Sequence, residues 1–324
     1  RYLSVALGNK LADALADARR VLPWLAGAIG APAFVTGVLV PIREAGALLP
    51  QLFLGAWVRR QPCRKHAWAI GNGLQAVAAG ALGLVALFGS AWLGGILLLA
   101  ALTMQSTVRA LSSIASKDVL GKTIAKKRRG RVAGFASSAA SALGLAIGLG
   151  LSLFGDGGTS PERSILAALL FGAAAGWLVA TFGAKAIREE RGENSGGEDA
   201  FRAVRNGLRM LRDDKIFRAF NIARLFALGS ALAMPYVTVL ARENGAGSLS
   251  DLGLLVVASG LAGVISSPFW GLLSDTDAHR VMALGASGSA ATTLLAASVA
   301  WMPDAISSSR WIYIVLYSLL ALSH

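Results

Sequence analysis

The sequence predicts an all-α polytopic membrane protein, and three observations carry that expectation. Hydrophobic residues make up 55% of the 324 and charged residues 15%, against about 45–50% and about 25% in soluble chains. Uncharged stretches recur at 67–89, 91–108, 132–155, 164–184, 252–274 and 281–303, with a shorter one at 225–241. Most reach the roughly 18–25 residues that a transmembrane helix needs. Finally, the basic residues fall in alternate inter-span loops. Four Lys and Arg lie in 59–65, seven in 117–131 and nine in 185–218, of 31 in all, whereas the intervening loops hold Arg163, Arg242 and Arg310 singly.

These facts exclude whole classes of function. A net charge of +13 suits nucleic-acid binding only until its distribution is seen. Alternation of basic loops is the positive-inside pattern, which places those loops in the cytoplasm. Bare spans this long must be helical, because lipid cannot satisfy open backbone groups. One Cys and three His allow neither a disulfide nor a metal cluster. No phosphate-binding Gly-x-x-x-x-Gly-Lys-Ser/Thr loop occurs, and no His lies within a span to act as a base,. No enzymatic activity, metal, cofactor or nucleic-acid partner is expected.

The spans follow in order. Two lie between each pair of basic loops: about 67–89 and 91–116, 132–154 and 164–186, then 219–241 and 251–273. After the short loop 274–280 come 281–302 and an incomplete span from Trp311. Hydropathy alone favours a single span at Val21–Ile42 before the first basic loop, whereas parity asks for two, at about 2–28 and 34–58. Parity is preferred, because Lys10, Asp13, Asp17 and Arg20 are spaced three, four and three apart and share one helical face,. A charged stripe on an otherwise apolar helix suits a bundle helix lining a wet cavity. Pro23, Pro32, Pro41, Pro50, Pro235 and Pro268 lie in or near spans and are expected to kink them. The total is about ten helices, the last incomplete, consistent with a fragment of a twelve-helix protein.

The one clear linker is 187–217, charged and Gly-rich at first and then amphipathic, with Phe201, Val204, Leu208 and Leu211 at helical spacing,. It divides an N-terminal six-helix half, 1–186, from a partial C-terminal half, 218–324. A repeat supports the division: Gly55, Arg59 and Arg64 keep the spacing of Gly271, Asp275 and Arg280. Two similar sets of helices around a long loop make a two-half transporter pattern.

On these residues the chain resembles the major facilitator superfamily of secondary transporters, over essentially its whole length. The family carries a Gly, an acid four residues on and a basic end after helix 2, kept here as Gly271, Asp275 and Arg280. In the first half, Arg59 stands where that acid would be. An Arg within helix 4, which the family associates with proton coupling, is matched by Arg109. Helix 5 has Gly144, Gly148 and Gly150 but lacks the Gly-Pro pair of drug antiporters. The resemblance implies a monomeric permease of a bacterial inner membrane that moves a small-molecule substrate by alternating access. Proton-coupled export is the expected mode. A uniporter or symporter of sugars or organic anions, and a non-transporting membrane scaffold, stay open as alternatives.

Ionisable groups at membrane depth cost several kcal/mol unless wet or paired, which marks them as functional. The candidates for proton and substrate are Asp13, Asp17, Arg43, Glu44, Arg109 and Arg224. A carboxylate that alternates between a proton and an Arg partner is a workable coupling device. Gly55, Arg59, Arg64, Gly271, Asp275 and Arg280 form the candidate cytoplasmic gate. Asn72, Gln75 and Gln105 offer polar groups to a solute or, equally, to a neighbouring helix.

Overall fold

The computed structural model describes residues 2–48, 50–154, 162–190, 200–222, 232–244, 248–276, 278–299, 302 and 309–323. Among them the protein is all-helical. In chain order the helices are α1 (Tyr2–Leu15), α2 (Val21–Ala28), α3 (Ala33–Leu48), α4 (Gln51–Arg59), α5 (Arg64–Phe88), α6 (Ala91–Thr123), α7 (Lys126–Phe154) and α8 (Glu162–Lys185). After them come α9 (Ala200–Asp213), α10 (Ala233–Asn244), α11 (Leu249–Thr276), α12 (Ala278–Ser298) and α13 (Arg310–Ser323). A further helical run covers 215–222.

By length and composition, four of these can cross a membrane unaided among the described residues: α5, α6, α8 and the 249–266 part of α11. Their outer faces are apolar. Val77, Leu93, Phe182 and Ile265 are each at least 60% exposed, an arrangement that lipid tolerates and water penalises. The inner faces pack on Ala and Gly. On α5, Ala76, Ala79, Leu82 and Ala86 are buried, and α5 packs along both α6 and α8. Small residues let helices approach closely where no hydrophobic drive separates protein from lipid. A Cβ on Gly253 of α11 would lie 2.6 Å from the carbonyl oxygen of Gly148 on α7, so both glycines are required for that crossing.

The first two spans differ from expectation. The stretch expected as one helix at 2–28 is two, α1 and α2, separated by non-helical residues 16–20. Pro23 has no N–H for the carbonyl of Arg19, and its ring crowds that carbonyl. Asp17 then competes for the backbone, accepting the N–H of Arg19 at 2.6 Å, as short acidic side chains do in turns. The stretch expected as 34–58 is likewise divided into α3 and α4, with Pro50 just before α4. Pro41, by contrast, stays inside α3.

Among the described residues, extensive contacts between α1–α8 and the later helices α10–α13 are made by α2 and α3 with α10 and by α7 with α11. At its glycines, the α7–α11 crossing sets 145–152 against 253–260, in the half of each helix remote from the basic loops. Helix α9 packs against α4, with Leu208 and Met210 exposed.

Candidate functional site

The interruption at 16–20 frees backbone groups deep in the bundle, and side chains from two other helices answer two of them. Arg43 of α3 donates to the carbonyl of Ala16 at 3.2 Å. Thr238 of α10 donates its hydroxyl to the carbonyl of Arg19 at 3.0 Å. Arg20 reaches Ser259 of α11 at 2.5 Å. Irregular backbone at membrane depth is tolerated only where protein or a wet cavity satisfies it. Both conditions hold here, because a cavity of about 840 Å³ lies against the break, lined by Lys10, Asp13, Asp17, Arg19, Arg20 and Tyr317 among others.

The charged groups pair in a definite pattern. Asp13 accepts a hydrogen bond from Arg109 of α6 through its Oδ1, and the same oxygen lies 3.5 Å from Arg43. Arg20 pairs with Asp17 at 3.2 Å. Arg19 stands 3.7 Å from Glu44. Arg43 and Glu44 are adjacent in sequence but serve different partners, because neighbours on a helix point about 100° apart. Asp13, Asp17, Arg43, Glu44 and Arg109 thus form one cluster beside the cavity. Arg224 lies outside the described residues.

The uncharged candidates lie elsewhere. Gln75 donates to Ser112 of α6 at 3.1 Å, and Ser112 donates to Asn72 at 3.1 Å. All three are buried, so this triad joins α5 to α6 and does not reach the cavity. Gln105 is buried on α6 with its Oε1 lacking a hydrogen-bond partner among the described residues.

At the basic-loop end, Gly55 is buried against Ile114 and Arg59 is exposed. Arg64 pairs with Asp118 of α6 at 3.1 Å. Glu189 accepts the backbone N–H groups of Arg64 and Lys65, at 3.1 and 2.7 Å, and pairs with Lys122 at 3.1 Å. A carboxylate on the first turn of α5 meets free N–H groups and the positive end of the helix dipole. Sequence reading placed Arg64 in the gate motif and the other loop charges in the topology signal, and missed both contacts. Gly271 and Asp275 fall in α11, but their surroundings lie outside the described residues; Arg280 is exposed on α12.

At the opposite end, Glu162 of α8 accepts from the indole N–H of Trp24 at 2.6 Å and from Arg242 of α10 at 3.1 Å. Arg242 also lies over the Trp24 ring, 5.9 Å from its centroid. Arg163 donates to the carbonyls of Ala86 and Gly89 at the end of α5. None of these residues stood out in the sequence. Each loop there holds so few charges that nothing marked a pair.

A sequence profile of the Major Facilitator Superfamily matches residues 20–322. No curated protein matches the chain by sequence. Among solved structures, the chain is similar to the inward-open xylose transporter XylE of E. coli, with a TM-score of 0.62 at 12% identity, covering 99% of this chain and 79% of that one. A D-xylose–proton symporter gives 0.63 at 12%, with coverage of 99% and 79%. The partially occluded inward-open form of XylE gives 0.64 at 13%, with 99% and 83%. At this identity the likeness is one of fold.

Proposed function

The chain belongs to the major facilitator superfamily, and on that premise we propose that it is a proton-coupled secondary transporter of a small molecule, working by alternating access. It acts as a monomer in a bacterial inner membrane with its basic loops in the cytoplasm, as their alternation favours. The observation that carries the reading is Asp13, which lines the cavity and is shared by Arg109 and Arg43. A carboxylate held by two guanidinium groups has two alternative satisfied states: ionised against them, or protonated when they turn elsewhere. That exchange is a proton-coupling step.

The ties at Glu162, Arg242 and Trp24 close the end remote from the basic loops. The cavity wall spans Leu151 to Ser138 of α7 and Val256 to Val264 of α11, from the remote side to mid-bundle. With the remote end tied, we assign this state to the form open to the cytoplasm. Rocking of α10–α13 against α1–α8 would break the far-end ties and present the same cavity to the other face. The D-xylose–proton symporter that shares the fold also supports coupling to protons.

Export by exchange, the mode favoured by the sequence, requires a solute that competes with the proton at Asp13. Co-transport requires one that binds with it. The test is internal pH in proteoliposomes of the full chain, challenged in turn with cationic, anionic and sugar solutes. A solute-dependent pH change is expected. Solute movement without one would make the protein a uniporter, and movement of neither would favour a scaffold.

A further inference from the structure

We propose that the solute is a small organic anion, and that it binds together with a proton rather than in exchange for one. This rests on the transport reading above and names its substrate class.

The charge pattern of the cluster is unequal. Five cations, Lys10, Arg19, Arg20, Arg43 and Arg109, meet three carboxylates, Asp13, Asp17 and Glu44. Asp17 is taken by Arg20, and Glu44 faces Arg19. Asp13 is left to serve Arg43 and Arg109 at once. Lys10 lines the same cavity with no ion pair among the described residues. Two positive charges are therefore unmatched by carboxylates at the cavity wall, with Lys10 left exposed there. A bound anion supplies what the protein lacks, whereas a cation would add to the excess. The rest of the wall includes Leu145, Ile147, Leu169 and Val256, which suits a hydrocarbon body behind the anionic group. A cavity of about 840 Å³ falls within the range of small-molecule sites, about 300–1,000 Å³.

The proton follows from the sharing of Asp13. Its protonation removes the one carboxylate from two guanidinium groups, and both become available to the solute. By reciprocity, an anion that occupies them favours the protonated state of Asp13. The groups around Asp13 support this linkage. Arg109 comes from α6, and Arg43 with Glu44 from α3. Lys10 comes from its own helix, and Asp17, Arg19 and Arg20 from the break. Tyr317 of α13 lines the cavity beyond. Helices α7 and α8 pack along α1, and between 132 and 154 and between 164 and 184 they carry no ionisable side chain.

The test uses the full-length chain in detergent, in weakly buffered solution near neutral pH with an indicator dye. Benzoate, benzenesulfonate and succinate are titrated beside D-xylose and tetraphenylphosphonium. At least one anion is expected to bind with proton uptake. Lys10→Gln, at an exposed position, weakens that binding about tenfold, the loss of one charge-assisted contact. Asp13→Asn binds the same anion without proton uptake and without pH dependence. Binding of none of the anions, proton release on binding, or an unchanged affinity in Lys10→Gln overturns the proposal. If D-xylose or the cation changes internal pH in the liposomes while no anion binds, transport stands and the anion proposal falls. If no solute changes internal pH, the proton-coupled reading fails and takes this proposal with it.

Discussion

Arg242 of α10 meets Glu162 of α8 at 3.1 Å, joining two helices 80 residues apart in sequence at the end remote from the basic loops. Trp24 of α2 shares the same carboxylate at 2.6 Å. An ion pair whose side chains are 22% and 28% exposed contributes about 1 kcal/mol, and the indole hydrogen bond about 1 kcal/mol more. Removing both is expected to shift the balance between open states about fivefold or more. In a Cys63→Ser background, Ser138→Cys reports the cavity. Glu162→Ala is expected to slow labelling of that cysteine from the basic-loop side by an impermeant maleimide. An unchanged rate would show that the far-end tie does not hold this state.

Ser112 connects Asn72 and Gln75 across the α5–α6 contact. Its replacement by Ala leaves buried amide groups without a partner, at about 1–3 kcal/mol. Thermal unfolding in detergent is expected to show that loss for Ser112→Ala while solute affinity stays at the wild-type value. A changed affinity with unchanged stability would place the triad in the solute path instead.

Glu189 follows α8 yet holds the first turn of α5 through two backbone N–H groups. Its carboxylate is fully buried. Glu189→Ala removes a cap and the partner of Lys122, and is expected to cost about 1–3 kcal/mol. Lys122→Gln, which leaves the cap in place, should cost less. Equal losses in the two variants would assign the effect to the ion pair alone.

Cys63 precedes α5 in the first basic loop and is partly exposed. In intact cells an impermeant thiol reagent is expected to leave it unlabelled, and to label it once the inner face is opened. Labelling of intact cells would reverse the orientation.

Much of the architecture was legible in the sequence, because span length and loop charge are local properties. The bare runs at 67–89 and 164–184 became α5 and α8 with little change. Breaks were harder. Pro23 announced a disturbance in the first span, but Thr238 and Arg43, from distant segments, supply the hydrogen bonds that let residues 16–20 leave the helix. Membership of the charged cluster was partly visible, since spacing alone puts Lys10 and Asp13 on one face. Its pairing was not. Asp13 and Arg109 are 96 residues apart, and nothing local specifies that they meet. Asn72 and Gln75 show the converse. A buried amide reads the same in sequence whether it faces a solute or a serine on the next helix. Glu162 and Glu189 were invisible because charges at span ends read as ordinary loop residues.

Coupling through Asp13 is tested by comparing two assays on one variant. Proteoliposomes of Asp13→Asn are followed for solute exchange, which needs no net proton movement, and for net uptake driven by a pH gradient. The solute is the one that the wild-type protein moves. Exchange is expected to persist, because Arg43 and Arg109 are still present and the cavity still rocks. Gradient-driven uptake is expected to disappear. Gradient-driven uptake at the wild-type rate in Asp13→Asn would contradict the assignment and move the proton elsewhere.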